Sequence, residues 1–323
     1  MTKALIVENL AKRFEDVQAV ADITFGVEQG ELFGFLGPNG AGKTTTINML
    51  TGLARPDSGS MSIGGLDCIK RPRSAQYLIG VVPDESNLYP ELTGFHNLCF
   101  CAALYGMGKQ ERQSRARNLL EDFGLSQAAD RRFSGYSKGM KRKLTIAAGI
   151  IHQPRILFLD EPTTGIDVAS ARQLRQLVAD LNESGTTIFL TTHYIEEAER
   201  LCDRIAFIVS GRIVQIDSVD NLLQPLQAKH VVQITCDQDL SGLLEEMKSQ
   251  FSPLHFSSSG QGILQVESDQ QVKAGALVHF LEEQGVEVSE ARRIKPSLED
   301  IFVRVTGIGA EAMQANAGKG GTA

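Results

Sequence analysis

Short apolar segments alternate with segments of helical periodicity through the first two thirds of the chain. The candidate strands are residues 4–7, 32–36, 78–82, 156–159, 187–191 and 205–209. Several of them are continuous apolar stretches, which is typical of strands buried on both faces of a mostly parallel sheet. Because helical stretches and turn signals lie between these strands, the pattern predicts an α/β fold.

The pattern changes near residue 218, where a second and smaller domain is expected. Residues 217–228 have the pattern of a short amphipathic helix or a linker. The next candidates are a strand at 230–235, a helix at 240–251, a strand pair around 254–266, a helix at 272–283 and a strand at 286–291. This βαββαβ-like order predicts a small α+β, ferredoxin-like domain.

The end of the chain has a different composition. A last helix is predicted at residues 297–305, after Pro296, and the Gly- and Ala-rich tail 307–323 is predicted to be disordered because it has little to bury. The predicted plan is a first domain at 1–218, a linker at 219–228, a small domain at 229–306 and a tail at 307–323.

Composition and charge agree with a globular protein of two domains. The chain has 323 residues, of which 42% are hydrophobic and 22% charged. Its net charge of −7 argues against a protein that coats nucleic acid, although it leaves room for a local basic patch. No stretch of about 18 apolar residues is present, and the N-terminus lacks the apolar core of a secretory signal. We therefore expect a cytoplasmic chain without a transmembrane segment.

A glycine-rich motif follows the candidate strand 32–36. It consists of Gly37, Pro38, Asn39, Gly40, Ala41, Gly42, Lys43 and Thr44, and it matches GxxxxGK[ST]. Glycines let such a loop turn its N–H groups toward phosphates, while the lysine supplies a positive charge and the threonine hydroxyl binds Mg²⁺. A chance match occurs roughly once in a hundred chains of this length, and the strand and helix that flank the motif make chance less plausible still. The motif predicts nucleotide binding.

Two acids end the apolar strand 156–159. On a strand, the neighbouring side chains of Asp160 and Glu161 point to opposite faces, which predicts separate roles. In an enzyme with a phosphate-binding loop, the first acid serves Mg²⁺ and the second can orient or deprotonate the attacking water. Taken alone, the pair could simply be a polar strand end. His193 ends another apolar strand, where ligand sites of α/β proteins lie, although a lone histidine is more often structural.

Taken in this order, the motifs over residues 3–218 resemble those of the ATPase subunit of an ABC transporter, a fold with a helical subdomain. By this resemblance, residues 37–44, followed by Thr45, are the Walker A motif, and residues 156–160 are the Walker B motif. Glu161 is then the catalytic glutamate, Asp167 belongs to the D-loop and His193 is the switch histidine. Phe14 falls where the family stacks an aromatic ring on adenine; a core phenylalanine is the alternative.

Two positions depart from the common pattern of the family. The signature reads Tyr136-Ser-Lys-Gly-Met140 instead of Leu-Ser-Gly-Gly-Gln, so that Ser137 and Gly139 keep the two positions that contact the γ-phosphate across a dimer. The basic residues 141–143 that follow are either a solvated face or an aid to the phosphate site. Asp84 stands where the family has a metal-contacting glutamine, and a carboxylate there would bind the metal more strongly but add negative charge. Both departures, and the segments 294–302 and 305–307, resemble exporters of the drug-resistance type.

This resemblance implies a mechanism and partners. Two copies would pack head to tail around ATP and Mg²⁺, with Thr44, Asp84 and Asp160 at the metal and Glu161 and His193 at the reacting phosphate. A separate transmembrane permease would hold the chain at the cytoplasmic face of the membrane and receive the motion through the segment near Asp84 and residues 91–106. The alternatives are a soluble ABC ATPase that acts on ribosomes or nucleic acid, an importer ATPase, and a nucleotide-binding regulator with little turnover. No nucleic-acid partner is expected, and the transported substrate is not readable from this chain.

Overall fold

The computed structural model describes residues 2–227, 230–240, 242–258, 262–294 and 297–309. These residues form two compact units, one from residues 2–219 with 302–309 and the other from residues 220–301. Most of the tail that was predicted to be disordered, residues 310–323, lies outside the described residues. Within the described ranges, no helix combines the length and apolar character that crossing a membrane requires.

The first unit is built around a six-stranded sheet. Its strands and those of the neighbouring sheet are β1 (Lys3–Phe14), β2 (Val17–Glu28), β3 (Leu32–Leu36), β4 (Ser58–Ile63), β5 (Leu66–Asp67), β6 (Ile79–Val82), β7 (Ile156–Asp160), β8 (Thr187–Thr192), β9 (Arg204–Val209) and β10 (Arg212–Ser218). The central sheet has the order β10-β9-β3-β8-β7-β6, in which β9, β3, β8, β7 and β6 are parallel and β10 is antiparallel to β9. The predicted α/β fold with a mostly parallel sheet is confirmed.

Helices connect these strands. They are α1 (Lys43–Leu50), α2 (Pro72–Gln76), α3 (Gly94–Leu104), α4 (Lys109–Asp122), α5 (Lys138–Ile150), α6 (Val168–Glu183), α7 (Ile195–Leu201) and α8 (Val219–Gln227), with 3₁₀ turns at Ser126–Ala128 and Phe133–Gly135. The stretch from α3 to α5 lies between β6 and β7 in the chain and is the helical part of this unit.

Every residue of β3, β7 and β8 is buried, which explains why these strands are nearly continuous apolar runs. Their phenylalanines pack together, since the rings of Phe33, Phe35 and Phe158 each lie within 6 Å of the ring of Phe189. Because parallel strands end at the same edge of a sheet, this packing brings the ends of β3, β7 and β8 together.

One predicted strand lies in a different sheet. Residues 4–7 are part of β1, which belongs to an antiparallel sheet of order β2-β1-β4-β5 and not to the parallel sheet. A two-residue turn at Glu15 and Asp16 joins β1 to β2, and such a short connection permits only antiparallel pairing. Polar residues interrupt both strands, so only the apolar start of β1 stood out in the sequence.

The second unit has the predicted βαββαβ order. It contains β11 (His230–Cys236), α9 (Leu244–Gln250), β12 (His255–Ser258), β13 (Ile263–Ser268), α10 (Ala274–Glu283) and β14 (Val288–Ile294), and α11 (Leu298–Thr306) follows. The sheet order is β12-β13-β11-β14, and all neighbours are antiparallel. Its core includes Val232, Ile234, Met247 and Leu281, which are contributed by the sheet and both helices. This is the ferredoxin-like arrangement predicted.

Candidate active site at the ends of the parallel strands

The glycine-rich loop lies between β3 and α1, as its motif requires. α1 begins at Lys43, and Gly42 precedes it with φ 104°, a backbone conformation that side chains disfavour. A Cβ atom on Gly37 would lie 2.2 Å from the carbonyl oxygen of Ile208, and one on Gly42 would lie 2.4 Å from that of Ala19. The close approach of β2 and β9 therefore requires glycine at both positions.

Lys43 is the buried cation of this loop. Only 6% of its surface is exposed, and its Nζ donates hydrogen bonds to the carbonyl oxygens of Gly37 at 2.7 Å and Pro38 at 3.2 Å. The same Nζ lies 3.1 Å from Oε1 of Glu161. A buried ammonium group needs such partners, because burial without them is strongly unfavourable. The lysine of the loop and the glutamate after β7 thus form one ion pair.

Asp160 ends β7 and is also buried. The Thr191 hydroxyl donates a hydrogen bond to its Oδ1, and the Thr44 hydroxyl is a second hydrogen-bond partner. Burial raises the pKa of Asp160, while the hydrogen bonds from the two threonines and the charge of Lys43 act against this rise. Carboxylate and hydroxyl oxygens next to a phosphate loop are donors that suit Mg²⁺, which is commonly held by one or two carboxylates together with substrate phosphates.

Glu161 leaves the strand with φ 49°, a left-handed conformation that is rare for a residue other than glycine. Its Oε2 accepts hydrogen bonds from Nδ1 of His193 at 2.5 Å and from the Thr164 hydroxyl at 3.1 Å. Burial raises the pKa of Glu161, but the hydrogen bond from His193 and the positive charge of Lys43 outweigh burial and leave the pKa below its usual value. The side chain is therefore held as a carboxylate.

The two adjacent acids have different partners. Asp160 binds Thr191 and Thr44, whereas Glu161 binds His193, Thr164 and Lys43. This separation follows from the turn in the backbone at Glu161, where β7 ends.

A cavity of about 590 Å³ opens over the loop. It is lined by Val17, Gln18, Ala19, Asn39, Gly40, Gly42, Lys43, Thr44, Thr45, Asp84, Glu161 and Ser210. This volume is in the range of small-molecule and cofactor sites. The lining residues from β2 and Ser210 carry no chemical motif, so the sequence offered no signal for them.

Other predicted residues lie outside this lining. Phe14 is 49% exposed, with Lys12 Nζ 5.2 Å from the centre of its ring, so it is not a core phenylalanine. Ser137 is the N-cap of α5, where its hydroxyl accepts a hydrogen bond from the Met140 N–H, and Asp167 caps α6 by accepting one from the Ser170 N–H. Hydrogen bonding to Ser170 lowers the pKa of Asp167.

Gly139 lies close to the start of α6. A Cβ atom at this position would be 2.6 Å from the Ser170 hydroxyl. The N-terminal ends of α5 and α6 are therefore close together, and they bring Ser137, Gly139 and Asp167 into one neighbourhood.

The basic residues after the signature do not act as one patch. Lys141 lies over the ring of Phe133 at 5.6 Å, and Lys143 donates a hydrogen bond to Gln173. Arg142 is buried and donates hydrogen bonds to the Glu161 carbonyl oxygen at 3.2 Å and to Asp84 Oδ1 at 3.4 Å. Neither of the two interpretations made from the sequence fits all three residues. Arg142 contacts Asp84 and the Glu161 backbone at the site, whereas Lys141 and Lys143 have partners elsewhere.

Asp84 lies at the mouth of the cavity, and its side chain is 53% exposed. Partial burial raises its pKa, the charge of Arg142 lowers it, and the neighbouring carboxylates of Asp160 and Glu161 raise it further. In the part of the chain that the structure describes, no three or more His, Cys, Asp or Glu side chains converge as a metal site.

Comparisons with known proteins agree with this geometry. The family model described as "ABC transporter" matches residues 20–164. The linearmycin resistance ATP-binding protein of Bacillus subtilis is 37% identical over 93% of this chain and 97% of its own length. The daunorubicin resistance ATP-binding protein DrrA2 of Streptomyces coeruleorubidus is 33% identical over 94% of this chain and 95% of its own length.

Solved structures give the same result. An ATP-binding subunit of an ABC transporter is 31% identical, with a TM-score of 0.63 over 69% of this chain and 93% of that chain. A dimeric ATP-binding cassette in a post-hydrolysis state, bound to ADP and phosphate, is 25% identical, with a TM-score of 0.61 over 67% of this chain and 98% of that chain. These matches confirm the predicted fold and the predicted ATPase class. The chain belongs to the family of ATP-binding subunits of ABC transporters.

Proposed function

We propose that this chain hydrolyses ATP as a head-to-tail dimer and thereby drives export through a separate transmembrane permease. The observation that carries the proposal is the Glu161 carboxylate, which is buried, deprotonated and held between His193 and Lys43 beside the phosphate loop. A carboxylate whose orientation is fixed in this way can accept a proton from an attacking water.

The ion pair between Lys43 and Glu161 supports a separate role for each of them in the proposed reaction. ATP phosphates that enter the loop compete for the Lys43 ammonium, which already has Glu161 as its partner at 3.1 Å. Transfer of Lys43 to the phosphates removes one partner from Glu161 and leaves the carboxylate, still oriented by His193, available to the water. Binding of ATP thus prepares the base.

The donors around Asp160 fit Mg²⁺, because the Thr44 hydroxyl and the Asp160 carboxylate lie together beside the loop. Asp84 lines the same cavity and is proposed as the third residue at the metal. When bound there, Mg²⁺ supplies positive charge that offsets the charge developing on the phosphates. The protein's share is to orient the Asp160 carboxylate, whose Oδ1 accepts a hydrogen bond from the Thr191 hydroxyl.

The dimer proposal rests on the helix ends that carry Ser137, Gly139 and Asp167. The N-terminal ends of α5 and α6 provide backbone N–H groups and positive dipole ends. Both favour binding of the phosphates of an ATP molecule that is held in the loop of a second copy. The similar dimeric cassette bound to ADP and phosphate supports this arrangement. ATP held between the loop of one copy and these helix ends of the other would complete both sites.

A trapped dimer tests this arrangement. Glu161→Gln removes the proton acceptor but keeps the size of the side chain, so Mg²⁺-ATP should convert this variant from monomer to dimer in light scattering after gel filtration. Gly139→Val is the matched control, because its side chain would collide with Ser170 and block the helix end. A Glu161→Gln protein that stays monomeric at saturating Mg²⁺-ATP would contradict the sandwich.

A groove beside Asp84 supports the permease as a partner. It has a volume of about 840 Å³ and is lined by residues that include Leu53, Tyr77, Leu104 and Tyr105. Leu53, Tyr77 and Leu104 are largely exposed, and apolar side chains exposed in one groove mark an interaction surface. The groove begins next to the Asp84 segment and ends at α3, the two segments through which motion was expected to pass.

Export is proposed from the relatives. Their names describe linearmycin resistance, daunorubicin resistance and Nod factor export. The test is ATP turnover of the purified chain in proteoliposomes, with and without a multi-span membrane protein taken from a neighbouring reading frame. Leu104→Asp should abolish stimulation by the permease and keep basal turnover, whereas Val214→Asp on β10, an equally polar change at another exposed site, should keep both. Equal stimulation of the two variants would argue against this groove.

A further inference from the structure

Arg142 connects two segments of the active site. It lies on α5, five residues after Ser137, and its guanidinium donates hydrogen bonds to the carbonyl oxygens of Pro83 and Glu161 and to the Asp84 carboxylate. Pro83 and Asp84 follow β6, whereas Glu161 follows β7. The Arg142 side chain therefore binds the backbone after β6 and after β7. It also binds Asp84, the acid at the position where the family has glutamine.

The burial of Arg142 indicates a specific need for its charge. Its side chain is only 6% exposed, and a buried guanidinium is unfavourable unless anionic and polar partners surround it. In the described ranges, Asp84 is the carboxylate within ion-pair distance, at 3.4 Å, while Asp160 and Glu197 act on it from farther away. Three carboxylates, those of Asp84, Asp160 and Glu161, are thus accompanied by the two cations Lys43 and Arg142.

The contact with Glu161 fixes an unusual backbone. The φ of 49° at Glu161 needs support from the surroundings. On one side, the Glu161 N–H donates a hydrogen bond to the Thr191 carbonyl oxygen at 3.1 Å; on the other, Arg142 binds the Glu161 carbonyl oxygen at 3.2 Å. The backbone N–H of Glu161 is therefore held by β8, and its carbonyl oxygen is held by Arg142 on α5.

We propose that Arg142 is a positioning residue that fixes Glu161 for hydrolysis and supplies the charge that a carboxylate at position 84 requires. The inference rests on the proposed role of Glu161 as the base. It explains why an acid occurs at position 84, since the fork of Arg142 reaches this acid and both carbonyl oxygens at once. A lysine has the charge but not this planar fork.

The test is a double-mutant cycle of Arg142→Gln, Asp84→Gln and the variant with both substitutions. Arg142→Lys is a fourth variant, which keeps the positive charge without the planar fork. Arg142→Gln should lower kcat at least about tenfold, because Glu161 loses its support and Asp84 loses its partner. The double variant should recover part of this loss, since a neutral amide at position 84 needs no cation. Thermal unfolding of all four proteins checks that each of them folds.

A second readout reports on charge and not on turnover. Mn²⁺ binding in the presence of a non-hydrolysable ATP analogue, followed by electron paramagnetic resonance, should be several-fold tighter in Arg142→Gln than in the wild type, because Asp84 is no longer neutralised. Adding Asp84→Gln should abolish this gain. Arg142→Lys should bind Mn²⁺ as the wild type does and still turn over slowly.

The result that overturns the inference is an Arg142→Gln protein with wild-type kcat and a wild-type Mn²⁺ titration. Equal losses in Arg142→Gln and in the double variant, with unchanged Mn²⁺ binding, would also overturn it, because this is the outcome of a purely structural role. Failure of the proposed function is distinguishable, since in that case the wild-type chain itself would not hydrolyse ATP.

Discussion

Replacing His193 with alanine should change the pH dependence of ATP turnover. In the structure, Nδ1 of His193 lies 2.5 Å from Oε2 of Glu161, and both side chains are buried. At this distance Nδ1 donates its proton to the carboxylate. Alanine would leave the Thr164 hydroxyl as the donor to this oxygen, at 3.1 Å, and would open space where the imidazole lay.

The direction of the pH shift follows from the interactions that set the pKa of Glu161. Burial raises the pKa of its carboxyl group, whereas the hydrogen bond from His193 is the strongest influence that lowers it. A general base works when it is deprotonated, so turnover is present above its pKa and is lost as the pH falls through it. Without His193, burial prevails and the acidic limb of the profile moves to higher pH.

The size of the change can be worked out from the contact. A hydrogen bond to a charged group contributes about 1.5–3 kcal/mol, and 1.36 kcal/mol corresponds to one pH unit. We therefore expect the acidic limb of kcat to move upward by about one to two pH units. The hydrogen bond that the Thr164 hydroxyl donates to Oε2 at 3.1 Å remains in the variant and keeps the shift from becoming larger.

The assay is phosphate release at saturating Mg²⁺-ATP between about pH 5 and 9. His193→Gln retains an N–H donor and should shift the limb less than alanine does. His279→Ala on α10 is the matched control, because His279 is exposed and its charged neighbour is Glu283 of the same helix. A His193→Ala profile that is lower but has the wild-type acidic limb would refute the assigned contact.

Three further substitutions test other parts of the structure. Lys43→Ala should weaken ATP binding at least about tenfold in a calorimetric titration, because charge-assisted hydrogen bonds to the phosphates are lost. Gly37→Ala should lower the free energy of unfolding in urea by about 1–3 kcal/mol, since its Cβ atom would lie 2.2 Å from the Ile208 carbonyl oxygen. Phe302→Ala should lower it by about 3–5 kcal/mol, because the buried Phe302 ring packs edge-on against Phe207 with 5.4 Å between ring centres.

Matched controls accompany these substitutions. Lys109→Ala removes an exposed lysine and should keep ATP affinity. Gly135→Ala adds a methyl group whose nearest neighbour is 3.7 Å away, and Val303→Ala truncates a partly exposed side chain next to Phe302. The packing described would be contradicted if Gly37→Ala and Phe302→Ala had the same free energies of unfolding as their controls.

Local chemistry explains why much of the site could be predicted. The loop from Gly37 to Thr44 is continuous in sequence, and its flanking strand and helix are strongly patterned. Asp160 is the last residue of one fully buried parallel strand and His193 directly follows another, so both lie at the same edge of the sheet.

Features that depend on tertiary contacts could not be predicted in this way. Arg142 stands between two lysines, and neighbours on a helix point in directions about 100° apart, so composition gives no indication that one of the three is buried. The antiparallel pairing of β1 with β2 was missed because polar residues interrupt both strands. The packing of Phe302 against Phe207 depends on a contact between residues far apart in the sequence.

The central claim is that the Glu161 carboxylate activates the water that attacks ATP. The most direct measurement is single-turnover phosphate release, with enzyme in excess over Mg²⁺-ATP, for the wild type and Glu161→Gln, together with ATP affinity measured at equilibrium. We expect release by Glu161→Gln to be slower by a factor of about 100 or more while ATP stays fully bound. Release at the wild-type rate with ATP fully bound would contradict the claim.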